Sequence, residues 1–253
     1  MQNTIIVSKS LRGGGLDSAG GRFRALGLSR SAFTLAEVLI TLGIIGVVAA
    51  MTLPNFVAKY RGQAVVTKLK KMYSVMSQVM LMSVPDGDYN NIPIIDGGIN
   101  GVNNFFNEYL KPQLKILRVC HIDSKECWAE TRDKSNKKVS VGSGTLPFIT
   151  TDGYAFTIDT WNAQDYETVS KRYGINFSGN SPMLVIYADA NGFQKPNVLG
   201  KDVFVYVFSE RGLLPAGRDK TDTEIESECK STGYFCFEKY IRNNWEIPAE
   251  DVW

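Results

Sequence analysis

Residues 33–53 read FTLAEVLITLGIIGVVAAMTL, an apolar run with a single charged side chain, Glu37. About 20 apolar residues in a helix span the hydrocarbon core of a bilayer. The alternatives are a buried helix of a globular protein, for which the run is long, and a secretory signal peptide. A signal peptide would be cleaved after its apolar core, and no convincing A-x-A pattern follows Met51. The run therefore predicts a transmembrane helix over residues 33–53.

The charge distribution gives this helix a direction. Residues 1–32 carry a net charge of +4, whereas the whole chain has +2, so the remainder is near −2. A basic flank ahead of an apolar helix stays in the cytoplasm, and the C-terminal part then crosses the membrane. The flank is rich in Gly, Ser and Arg without periodicity, which predicts a flexible leader. The small net charge gives no support for a nucleic-acid partner.

The helical pattern continues beyond the apolar run. Between residues 54 and 84 the apolar residues recur three or four positions apart, as in an amphipathic helix with one buried face. They are Val65, Leu69, Met72, Tyr73, Met76, Val79 and Met80. Pro54 removes a backbone donor and clashes with the preceding turn, so a helix kink is expected there.

The remaining residues, 85–253, predict a globular domain with a sheet. PFITTDGYAFTIDT at 147–160 has two β-rich arms around Asp152-Gly153, a strong hairpin signal. MLVIY at 183–187 and VFVYVF at 203–208 are apolar runs of strand length. Short helices are expected over 103–117 and 237–243. The fold class is therefore α+β, with a long N-terminal helix packed on an antiparallel sheet.

The four cysteines form two sequence pairs, Cys120/Cys127 and Cys229/Cys236. They follow the apolar run, where the predicted topology places an oxidising compartment. Two local disulfides are the natural interpretation, although four cysteines allow three pairings. A zinc site is the weaker alternative, because the close C-x2–4-C spacing is absent and His121 is the single histidine.

SAFTLAEVL at residues 31–39 resembles the class III signal of type IV pilins and type II secretion pseudopilins. In that family a small residue, usually glycine, precedes the cut, Phe or Met follows it, and Thr-Leu-x-Glu leads into an apolar helix. The resemblance implies cleavage between Ala32 and Phe33 by a prepilin peptidase, followed by N-methylation of Phe33. This sequence departs from the pattern at Ala32, which replaces the usual glycine with another small residue.

Glu37 is the residue that the family pattern singles out. A carboxylate at the centre of a bilayer-spanning helix costs about 2.5–3.5 kcal/mol on insertion scales. That cost falls when a cation neutralises it, and cleavage would create an amine on Phe33. In a filament, Glu37 of one subunit can meet the amine of its neighbour in a low-dielectric core, and the resemblance implies the same role. The alternative is that Glu37 reaches the membrane surface by snorkelling.

The resemblance implies a pilin-like fold and a structural function. The chain would be a subunit of a type IV pilus or type II secretion pseudopilus that polymerises with copies of itself and other pilins on an inner-membrane assembly platform. Its precursor would cross the inner membrane once, with residues 85–253 periplasmic and later in the filament or on the cell surface. The alternative is a minor pilin that acts as a binding, adhesion or DNA-uptake module. No catalytic motif supports an enzyme.

One loop is a candidate binding site for a cofactor. Residues 189–202, DANGFQKPNVLGKD, resemble the calcium-binding loops of major pseudopilins. Asp189, Asn191 and Asp202 would supply oxygen ligands, together with backbone carbonyls. The alternative is that the same residues form ordinary Asx turns.

Overall fold

The computed structural model describes residues 33–84, 97–177, 182–248 and 251. The predicted leader, including Ala32 at the predicted cleavage site, lies outside the described residues. The chain divides into two units, Met1–Val48 and Ala49–Trp253. In the first unit, the described residues are Phe33, Thr34 and the start of helix α1, and all of them are exposed.

Helix α1 spans Leu35–Ser83 and includes Pro54. Proline therefore does not end the helix, and the predicted kink stays a prediction. Within the second unit, α1 buries the predicted stripe, because its apolar residues recur on one face. Val65 and Tyr73 at the edges of that face are half-buried. The fully packed members are Leu69, Met72, Met76, Val79 and Met80.

Helix α2 spans Gly98–Phe105 and continues as a π-helical turn, Phe106–Leu110. Its aromatic residues anchor it to the sheet, since the ring centroids of Phe106 and Phe148 lie 5.0 Å apart. The helix predicted over 103–117 is thus shorter than expected. Its last two positions belong to strand β1 (Ile116–Val119).

Among the described residues, the sheet has six antiparallel strands in sequence order. After β1 come β2 (Leu146–Thr150), β3 (Ala155–Trp161), β4 (Met183–Asp189), β5 (Val203–Ser209) and β6 (Gly212–Pro215). The predicted hairpin at Asp152-Gly153 joins β2 to β3, and the two predicted apolar strands are β4 and β5. The α+β class and the antiparallel sheet are therefore confirmed.

Both faces of this sheet are covered, whereas an antiparallel sheet often leaves one face in water. The inner face packs on α1 and α2 through alternate residues of β2 to β5. These are Phe148, Phe156, Ile158, Leu184, Ile186, Ala188, Phe204, Tyr206 and Phe208. The intervening residues, on the outer face, pack under loops and short helices. These are Ala155, Met183, Val185, Tyr187, Val203, Val205 and Val207.

The described residues also form the short α-helices α3 (Tyr166–Tyr173), α4 (Asp222–Ser231) and α5 (Cys236–Arg242), and a 3-10 turn at Ala163–Asp165. Two disulfides join Cys120 to Cys127 and Cys229 to Cys236. The local pairing is therefore the one present, and the second bridge ties α4 to α5. Near it, Gly233 allows close approach, because a Cβ there would lie 2.2 Å from the Leu199 carbonyl oxygen.

Candidate membrane and assembly segment

The N-terminal part of α1 exposes nearly every large apolar side chain that it carries. Met51 is 71% exposed, and Phe33, which lies just before the helix, is 84% exposed. The others with large exposed side chains are Leu35, Val38, Leu39, Ile40, Leu42, Ile44, Ile45, Val47, Val48 and Leu53. An apolar surface of this extent is normally covered by lipid or by another protein.

By length and composition, α1 can cross a membrane, and no other helix in the described part of the chain can do so. An exposed apolar helix near an N-terminus is compatible with a membrane anchor and with a signal sequence. Both interpretations place the exposed side chains in an apolar environment.

Thr34 and Glu37 form a reciprocal cap at the start of α1. The Thr34 backbone N–H and hydroxyl both donate to Glu37 Oε2, at 2.9 and 2.8 Å. In return, the Glu37 backbone N–H donates to Thr34 Oγ1 at 3.2 Å. The Thr34 carbonyl accepts the first helical hydrogen bond, from Val38. This is a capping box, which satisfies donors that have no partner within the helix.

The capping box gives Glu37 a local role that the sequence interpretation did not include. The signal was available, because Thr-x-x-Glu immediately before an apolar run predicts a helix start. Phe33 precedes the cap and lies outside the helix. The nitrogen that cleavage would convert to an amine therefore belongs to the residue just before the Thr34–Glu37 pair.

The loop at 189–202 brings the three predicted calcium ligands together through hydrogen bonds. Asp202 Oδ1 accepts from the Val198 N–H at 2.7 Å, and Oδ2 accepts from the Asn197 N–H at 2.8 Å. The Asn191 amide also donates to Asp202 Oδ2, at 3.1 Å. Asp202 therefore fixes the loop with both of its oxygens. Asp189 Oδ1 accepts the Asn191 N–H at 2.9 Å.

Asn197 is the residue of this loop that the sequence interpretation missed. The end of its side chain lies 3.1 Å from Asp189 Oδ2 and from the Gly192 carbonyl, and 3.2 Å from the Gln194 carbonyl. With its nitrogen turned inward, the amide donates to these three acceptors. With its oxygen turned inward, that oxygen lies 3.1–3.2 Å from three others, distances that fit two ligands of one cation at about 2.3–2.6 Å.

The electrostatics of this loop favour a neutralising group. Asp189 is 2% exposed, and burial together with the charge of Asp202 raises the pKa of Asp189 to about 8. Burial also raises the pKa of Asp202. Asn191 Oδ1 is buried and has no hydrogen-bond partner. These donors fit a hard cation, although no group of three His, Cys, Asp or Glu side chains able to hold a metal occurs among the described residues.

Sequence comparison adds a family. The profile of Family of unknown function (DUF6613) matches residues 55–250, more than half of the chain. The chain belongs to this family. No curated protein and no solved structure matches it. The DUF6613 match covers the loop at 189–202 and both disulfides, and the apolar segment at 33–53 precedes it.

Proposed function

We propose that this DUF6613 protein is a pilin-like subunit of a filament, either a type IV pilus or a type II secretion pseudopilus. In this proposal residues 33–53 anchor the precursor in the inner membrane and then, after removal of residues 1–32, form the filament core. The observation that carries it is the exposed apolar start of α1, with Glu37 as its single charge. The two disulfides and the α+β domain suit a subunit that works outside the cytoplasm.

The capping box sharpens the test of Glu37. Glutamine at the same position keeps the cap, because Glu and Gln both serve there, but it removes the charge. We expect Glu37→Gln and Glu37→Ala to accumulate in the membrane yet fail to enter filaments. Thr34→Ala weakens the cap, keeps the carboxylate and should still assemble. Filament yield is measured by shearing and immunoblotting in the native host.

The outcomes separate the two roles of Glu37. If Glu37→Gln assembles normally and Glu37→Ala does not, assembly depends on the cap. That result would contradict docking through the charge of Glu37. Normal assembly of both variants would contradict the filament proposal itself.

Processing has an independent test. The mature protein should begin at Phe33 and carry one methyl group on its terminal nitrogen, as shown by N-terminal sequencing and intact mass. Ala32→Gly restores the usual residue and should be cleaved at least as fast. A mature N-terminus at any other residue would overturn the assignment.

The proposal extends to calcium at the loop 189–202. The side chains of Asp189, Asn191 and Asn197 and the carbonyls of Gly192 and Gln194 would hold the ion. Asp202 fixes the loop, because both of its oxygens already accept hydrogen bonds. When bound, calcium would supply the positive charge that two buried carboxylates lack. Calcium chloride at about 100 times the dissociation constant should stabilise the folded chain by about 2.7 kcal/mol.

The calcium test uses the full chain in nanodiscs and two matched variants. Asp189→Asn removes a ligand from the loop, and Asp159→Asn changes a buried aspartate elsewhere in the domain. Calcium should raise the Tm of the wild type and of Asp159→Asn, but not that of Asp189→Asn. An unchanged wild-type Tm would contradict the calcium site and leave the Asn197 amide as the partner of Asp189.

A further inference from the structure

A pocket of about 490 Å³ opens on the outer side of the sheet. Its base comes from Pro147 of β2 and Thr157 of β3, beside Trp128. The wall is the segment 138–143. The volume lies within the range of roughly 300–1,000 Å³ typical of small-molecule sites. The pocket lies entirely in the DUF6613 domain, and the proposed filament function does not use it.

Two lining residues carry buried polar atoms without partners. Trp128 is 7% exposed and Thr157 is 1% exposed. Trp128 Nε1 and Thr157 Oγ1 both lack a hydrogen-bond partner. Buried polar groups are normally paired, so two unpaired groups in one pocket indicate a missing partner. The indole N–H can only donate, whereas the hydroxyl can donate and accept.

Hydrogen bonds anchor the wall of the pocket on both sides of Gly142. Asp123 accepts hydrogen bonds from the Gly144 and Thr145 backbone N–H groups, each at 2.9 Å. The Arg172 guanidinium donates to the Ser140 carbonyl. The guanidinium also lies 5.4 Å from the centroid of the Tyr173 ring.

Between these anchors, Gly142 lies against the outer face of β3. Its φ is +109°, and a Cβ there would lie 2.7 Å from Asp159 Oδ2. Asp159 is two positions after Thr157 and shares its face of the sheet. Trp128 Nε1 and Thr157 Oγ1 are closed to solvent, so a ligand reaches them only when the lining of the pocket opens.

The charges of the lining select against ions. It contains two acids, Asp123 and Glu130, and two bases, Lys125 and Lys138. Glu130 already binds Lys138 and Arg132, each at 2.9 Å. The Asp123 carboxylate is occupied by the backbone groups described above. The remaining surface combines hydroxyl groups with apolar faces from Trp128, Val139, Val141 and Pro147.

We infer that this pocket binds a neutral saccharide of one or two sugar units. Sugar hydroxyls donate and accept, so they can satisfy both the indole N–H and the threonine hydroxyl. Sugar C–H faces pack on aromatic and aliphatic side chains. An uncharged ligand matches a lining whose charges balance.

The test is saturation-transfer NMR on the full chain in nanodiscs, which avoid sugar-based detergents. The probes are glucose, galactose, N-acetylglucosamine and lactose, with glucuronate as an anionic control. At least one neutral sugar should bind saturably, with a dissociation constant on the order of 1 mM. Thr157→Val should weaken that binding about tenfold, since it removes one hydrogen bond at constant shape.

Tyr206→Phe is the matched control. It removes another buried, unpartnered hydroxyl, but on the inner face of the sheet and outside the pocket. Binding by Tyr206→Phe should equal that of the wild type. No saturable binding of any neutral sugar would overturn the inference. So would equal binding by Thr157→Val and the wild type, or tighter binding of glucuronate.

Discussion

The N-terminal segment and the globular domain depart from the usual distribution of residues in opposite directions. The segment exposes apolar side chains that proteins normally bury, such as Leu39, which is 61% exposed. The domain buries carboxyl groups that proteins normally expose: Asp159 at 5%, Asp189 and Asp202 at 2%, and Glu238 at 0% exposure.

Each departure needs a partner, and the partners differ. The exposed apolar side chains need something outside the chain, which the proposed function supplies as lipid and then as neighbouring subunits. Glu238 finds its partners inside the domain, because Arg218 and Arg242 bind it at 3.1 and 2.8 Å. Asp159 has no such cation pair among the described residues, and burial raises its pKa to about 7.

The largest difference should appear between two leucines of the same helix. Leu69 is fully buried against the sheet, so Leu69→Ala should destabilise the domain by about 3–5 kcal/mol, through lost burial and a cavity. Leu39→Ala makes the same chemical change on an exposed part of α1 and should leave the domain's unfolding unchanged. Urea denaturation of the full chain in nanodiscs, followed by domain tyrosine and tryptophan fluorescence, measures both variants. Equal losses would mean that Leu39 also packs within the folded protein.

The second-largest effect on stability is expected at the buried glutamate, Glu238. Glu238→Gln removes the charge between Arg218 and Arg242 and should lower the free energy of unfolding by about 2–3 kcal/mol. The loss is smaller than for a fully buried ion pair, because both arginines partly reach water. Glu226→Gln is the control. Glu226 also binds two cations, Lys230 and Lys239, but its side chain is 40% exposed. Exposed pairs contribute about 0–1 kcal/mol. The comparison fails if the two variants lose equal stability in urea.

Asp159 should change stability in the opposite direction, and only at high pH. Burial is the main cause that raises its pKa from the ordinary 3.8 to about 7; nearby Asp123 adds to the rise and Arg172 opposes it. The native state therefore holds this proton more tightly than the unfolded state, so stability falls as pH rises between about 4 and 7. Asp159→Asn cannot ionise, so at alkaline pH it should be more stable than the wild type by about 1.4 kcal/mol for each unit by which burial raises the pKa of Asp159.

The same variant should match the wild type in acid, where Asp159 is protonated in both states. Unfolding free energies from urea titrations across this pH range give the test. A constant difference between variant and wild type at every pH would show that Asp159 keeps an ordinary pKa.

Sequence periodicity was sufficient to predict the helices and strands whose apolar residues recur at regular spacing. The stripe through Leu69 and Met76, the hairpin at Asp152-Gly153 and the apolar runs of β4 and β5 all have patterns set by local geometry. Adjacent pairs of cysteines also predicted the disulfides correctly, since short loops close most easily. Helix α4 was missed although Thr221 and Glu224 form a capping box, a signal as local as the others.

Less of the candidate sites than of the fold could be predicted from the sequence. Asn197 faces Asp189 because the loop folds back on itself, and no spacing rule reports such a contact. The pocket joins Trp128 to Thr157 across separate elements, and its two unpaired polar atoms are visible only after packing. Covering the outer face with loops likewise depends on long-range contacts. Periodic strands had predicted a sheet but not what lies on its second face.

The smallest predicted effect concerns the Thr34–Glu37 capping box, which gives Glu37 a role besides its charge. Thr34→Ala removes the hydroxyl that both donates to and accepts from Glu37, and should weaken the first turn of α1 by about 1 kcal/mol. Amide hydrogen exchange at residues 35–38 in nanodiscs should become faster. Thr41→Ala is the control, because the Thr41 hydroxyl donates to the Val38 carbonyl within the helix and caps nothing. Unchanged exchange in Thr34→Ala would mean that the capping box does not stabilise the start of the helix. The charge of Glu37 would then be the remaining explanation for a glutamate in this apolar segment.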